Sequence, residues 1–117
     1  MSNISNTQMK NFHDAHLEVK KFFSGRFETH PYEAGWADEA LIFVMVEKTE
    51  GTPLFKGQVQ LSQDGVHWVD DESLPVEFSG QGLHLIKVKP NFGNYIRLAA
   101  DVEGGRMFLN IHIACKG

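Results

Sequence analysis

The sequence predicts an all-β fold: a single antiparallel β-sandwich of about eight strands, jelly-roll-like in its connections. Three observations carry this. Apolar and polar residues alternate with period two along nearly every segment beyond the N-terminus. Turn-forming clusters recur about every 8–12 residues, as in sandwiches and barrels. Nowhere does a helical apolar stripe run for more than a turn or two. The one competitor is "HDAHLEVKKFF", where Phe12, His16, Val19 and Phe23 also fit helical spacing.

Residues 1–10 are polar, rich in Asn and Ser and without periodicity, which predicts a flexible arm ahead of one sandwich domain over 11–117. Leu17, Val19 and Lys21 alternate with Glu18 and Lys20 in a first strand. "GRFETHP" is a second extended piece, ended by Pro31. "ADEALIFVMVEKTEG" is apolar at successive positions over 40–46, which predicts a central strand covered on both faces. "EGTP" reads as a turn. In "LFKGQVQLS", Val59 and Leu61 oppose Gln58 and Gln60, and Gly57 marks a bulge or a close approach of another chain segment. Leu74, Val76 and Phe78 share one face, "LHLIKVKP" is a strand stopped by Pro90, and Ile96–Val102 alternates. "EGG" reads as a hairpin turn. In the last strand Met107, Leu109, Ile111, Ile113 and Cys115 share one face, and Phe108, Asn110, His112 and Ala114 the other.

The chain has 117 residues, enough for one core without covalent staples. One cysteine, Cys115, excludes an internal disulfide and a cysteine-rich metal cluster; on an apolar strand face it reads as a small hydrophobe. The net charge of −4 and dispersed basic residues argue against nucleic acid and anionic membranes as partners. No apolar N-terminal stretch suggests a secretory signal and no run is long enough to cross a bilayer, so the expected location is cytoplasmic or within a larger particle.

"QLSQDGVHWVDDES", residues 60–73, invites a ligand-site reading. Asp-Gly between alternating runs is, however, a strong hairpin signal, because Gly accepts positive φ and Asp bonds back to the turn. Ser62, Asp64 and Gly65 therefore read as a structural hairpin, with Trp68 and Val66 dropped onto the inner face. The set Ser62, Asp64, Gly65, Trp68 resembles the Asp-box turn of sialidase-like propellers, one residue short, although the chain is too short for a propeller. With Val59 ahead and "NYIRL" at Asn94–Leu98 behind, it also resembles β-sandwich domains of the discoidin or galactose-binding-like type over about residues 57–115. That resemblance implies a jelly-roll sandwich and no particular ligand. The strand pairs are similar, too, to small accessory proteins of phage-like particles.

Candidate chemistry is sparse. Asp70, Asp71 and Glu72 with Asp64 supply carboxylates but no D-x-D-x-D-G calcium spacing. His13 and His16 fall on opposite faces of a strand; His67 and His84 are expected outward, and three strand histidines meeting on one face would suit zinc or copper. No nucleophile elbow, phosphate loop or paired-carboxylate cleft is present. No catalytic residue, cofactor or metal is therefore expected. "THPYEAGWADEA" places Tyr32 and Trp36 in a loop near His30, a pattern suited to stacking on sugars or anchoring proteins. The expected function is a non-enzymatic structural, assembly or interaction protein, homo-oligomeric or bound to other subunits and suited to a phage-like or other bacterial particle. A carbohydrate-binding module is the alternative, and a small metal-dependent jelly-roll protein the third.

Overall fold

In a computed structural model that describes residues 12–90 and 92–117, these residues form seven strands and no helix. The expected arm over residues 1–10 lies outside the described residues. The strands are β1 (Phe12–Glu28), β2 (Tyr32–Glu33), β3 (Glu39–Ser62), β4 (Val69–Asp70), β5 (Val76–Phe78), β6 (Gly82–Val88) and β7 (Tyr95–Lys116). They make one sheet, antiparallel throughout. β7 lies between β1 and β3. β2 prolongs the β1 edge along β7, and β6, β5 and β4 share the far side of β3.

β3 has 24 residues and β7 has 22. Straight, each would span about 70–80 Å, yet the longest dimension of the molecule is 52 Å. The strands must therefore bend, and two hydrogen bonds show how far. Ala34 N donates to Asn94 O, before the start of β7, and Asp38 N donates to Lys116 O, at its end, both at 2.7 Å. The short link between Ala34 and Asp38 reaches at most about 14 Å, so the two ends of β7 lie close together. β1 doubles back likewise, since His30 Nδ1 lies 3.2 Å from Leu17 O. The result is a sandwich made from one sheet folded on itself. The first layer holds the N-terminal parts of β1 and β3, the C-terminal part of β7, and β6. The second holds their other halves with β2, β4 and β5.

The fold line runs where β3 and β7 shift register, between Gly51 and Leu54. Gly51 and Gly104 have φ of +78° and +83°, a region only glycine enters freely. A Cβ on Gly104 would stand 2.7 Å from Thr52 O, so the crossing backbones leave no room for a side chain. "EGTP" and "EGG" were expected to reverse the chain; both are bends inside continuous strands. Alternation resumes unbroken on either side, which a hairpin and a bent strand share, so about eight expected strands become seven.

The inner faces of both layers meet in one apolar cluster, centred on Ile42, Val44, Phe55, Leu98, Leu109 and Ile111. β7 follows expectation: Met107, Leu109, Ile111, Ile113 and Cys115 are all fully buried. Four inward assignments fail. Val19 is exposed because a bulge in β1 buries the consecutive pair Leu17 and Glu18 instead. Leu74 is 87% and Val66 72% exposed, both in segments outside the strands where parity no longer fixes a face. Trp68 closes the loop after β3 and lies over the Arg97 guanidinium, 4.2 Å from its ring centre, on the outer side of β7. The reverse error concerns His84, expected outward. It pairs with Val44 and turns inward, stacked on Phe78 at 3.8 Å.

Candidate functional site

The outer face of the first layer is the feature most in need of an occupant. Along β3, Ala40, Ile42, Val44 and Val46 face the core, so Leu41, Phe43 and Met45 face out. Along β6, His84, Ile86 and Val88 face in, which leaves Leu83 and Leu85 outside at 54% and 48% exposure. Cross-strand register aligns them in rows. Leu85, Phe43, His112 and His16 form one row; Lys87, Leu41, Ala114 and Asp14 form the next. Phe43 stacks flat on His112, with centres 5.2 Å apart, and His112 lies 5.9 Å from His16. Phe12, 59% exposed, closes the lower end beneath Lys116. A groove of about 350 Å³ runs between Phe12, Asp14, Leu41, Phe43 and His112. At the fold line polar contacts take over: Lys20 pairs with Glu47 at 3.6 Å, and Arg106 lies over Phe22. Asn110 Oδ1 is buried on this layer without a hydrogen-bond partner among the described residues.

The loop aromatics lie elsewhere, at the end where β7 begins and finishes. The Tyr32 hydroxyl is 2.7 Å from His13 Nδ1, and the two rings stack at 5.9 Å. Burial, then the neighbouring Cys115 thiol, pushes the Tyr32 phenol above its ordinary value. Trp36 is partly open but packs against Gly117. His30 is not part of this group. Its backbone N–H donates to Glu18 Oε2 at 3.1 Å, and its ring sits at the same distance from that buried carboxylate.

Ser62, Asp64 and Gly65 make a self-contained turn. Ser62 Oγ donates to Asp64 Oδ1 at 3.0 Å and accepts from Gly65 N at 2.8 Å. Val66 N and His67 N both donate to Asp64 Oδ1, and the His67 ring meets Oδ2 at 2.7 Å. The backbone N–H of His67, then its ring and the Val66 N–H, hold the Asp64 carboxyl well below the usual aspartate range. Every oxygen of this carboxylate is therefore committed to the loop. Asp70 and Asp71 are also bonded locally, to Gln60 and to Gln58 and Ser73.

His16 and His112 meet on the outer face while His84 faces the core, so the strand histidines do not converge on one point. Among the described residues, no group of three or more His, Cys, Asp or Glu is placed to hold a metal ion. No helix among them is long and apolar enough to cross a membrane. The sequence reading missed Leu83, Leu85 and the groove; the available signal was the double-sided apolar run 40–46. Compared with known proteins, the chain matches no family model, no curated protein and no solved structure.

Proposed function

We propose that the chain is a non-enzymatic assembly protein that associates with other subunits through the outer face of its first layer. The observation that carries this is the outward display of Leu83 and Leu85 beside Leu41, Phe43 and Met45. Scattered exposed leucines need no explanation, but a contiguous apolar patch across neighbouring strands marks a place for a partner. A subunit of a bacterial or phage-like particle would use such a face.

The sugar-binding alternative has less support. A stacking platform needs an open ring face, and Tyr32 has one face on His13 and its hydroxyl already bonded. Of the two loop aromatics, Trp36 keeps a partly open ring.

The test is the native size of the chain in a gentle extract of its source cells. It is expected to elute well above its own 13.2 kDa. A variant carrying Leu83→Lys and Leu85→Lys is expected to elute at monomer size with its thermal midpoint kept. Elution of the unaltered chain as a free monomer sinks the reading.

A further inference from the structure

The outer face carries charges as well as leucines, and their placement selects a partner. Four strands spaced about 4.8 Å apart, over the seven-residue length of β6 at about 3.3 Å per residue, give a face of about 440 Å² in projection. That is about half of what one side of an ordinary stable interface buries. The apolar patch can therefore serve as the centre of an interface, and its rim must add specificity. In the row Lys87–Leu41–Ala114–Asp14, a cation stands on β6 at one side and a carboxylate on β1 at the other. Three strand spacings, about 14 Å, separate them. Among the described residues neither has an ion-pair partner.

Resting on the assembly reading above, we infer that the occupant of this face is a second copy of the same chain. The two copies pack face to face about a two-fold axis parallel to the strands and midway between β3 and β7. Such an axis reverses each row against itself. Lys87 then meets the partner's Asp14, and Asp14 the partner's Lys87, so each pair occurs twice. In the adjoining row Phe43 meets the partner's His112, and Leu85 the partner's His16. Leu41 covers the partner's Ala114, a large residue over a small one, which sheets about 10 Å apart require. An isologous contact of this kind uses one patch on both subunits and closes at two.

Charge reversal tests it on the purified full-length chain by sedimentation equilibrium. The unaltered protein is expected at twice 13.2 kDa. Lys87→Asp alone, or Asp14→Lys alone, puts like charges opposite each other twice and is expected to weaken the dimer about tenfold. The double variant Lys87→Asp with Asp14→Lys restores the pairing and is expected to recover the original constant. Recovery cannot arise within one chain, where the two residues are too far apart to touch. A dimer whose constant stays low in the double variant overturns this face-to-face arrangement. A purified chain that stays monomeric overturns the second-copy inference; if it still elutes as a large species in extract, the assembly reading survives with a different subunit as partner.

Discussion

Asp64 is a surface carboxylate whose every bond points back into its own loop, and that makes its titration a clean probe of the turn. Its oxygens accept from Ser62 Oγ and two backbone N–H groups, and meet the His67 ring. The folded-state acidity lies below the ordinary aspartate value. With the folded value depressed, the ionised carboxylate contributes stability above the usual aspartate range, and that contribution is lost as the pH falls through and below it. Asp64→Asn keeps one oxygen to accept the Val66 and His67 N–H bonds but has nothing to protonate. The unaltered protein is expected to melt above the variant near about pH 5, and the gap is expected to shrink steadily as the pH falls below the usual aspartate range. Melting curves by circular dichroism at several pH values check this. A gap that persists unchanged in acid would mean the carboxylate charge is irrelevant to the turn.

The long strands place the demand for special residues at their fold line. Gly104 has positive φ, and a Cβ there would collide with Thr52 O from the crossing strand. Gly104→Ala therefore strains the backbone and forces β3 and β7 apart, and is expected to cost about 1–3 kcal/mol. A control, Glu103→Ala, sits beside it in an exposed position and loses only the surface pair with Lys56, worth under about 1 kcal/mol. Urea unfolding of the two variants gives the comparison, and equal midpoints would remove the steric argument. This is also where the sequence stops being legible. Strict alternation from Met107 to Cys115 named the buried face of β7 correctly, because one register alone buries five apolar side chains. It could not tell a bend from a hairpin, since both leave the alternation intact and differ only in which strand pairs with which. β6 was ambiguous for another reason. "LHLIKV" offers Leu83 and Leu85 on one face and Ile86 and Val88 on the other. Pairing with β3 decides for Ile86 and Val88, sends His84 inward, and so creates the exposed leucines. The apolar run 40–46 read as a strand covered on both faces, but in the folded chain Ala40, Ile42, Val44 and Val46 are buried while Leu41, Phe43 and Met45 stay half-buried on the outer side, because the second layer packs against one face only.

At the scale of the whole molecule, the folded sheet ties its own end into the centre. Cys115, near the end of β7, is fully buried. It is paired with His13 of β1 on one side and Ala40 of β3 on the other. Lys116 O accepts from Asp38 N, and Gly117 packs against Trp36, which locks the last residues to the link between the layers. Burial first, and then the Asp14 charge, push the Cys115 thiol from an ordinary value of 9.0 up to about 11. A raised folded value means that the neutral thiol's contribution is complete below its unfolded value near 9 and is lost as the pH rises toward about 11. Reaching this thiol requires β7 to leave both neighbours, and the pairings lost join residues far apart in sequence, so local opening does not suffice. Labelling at about pH 8 by a soluble disulfide reagent is accordingly expected to be slow in the native protein. Its rate is expected to rise with urea along the same slope as the unfolding equilibrium measured by circular dichroism. A rapid reaction, or one almost independent of urea, would mean that the end of β7 opens by itself. The ladder that holds the first layer flat beneath its leucines would then be looser than the register implies, and a rigid face for a second subunit would lose its footing.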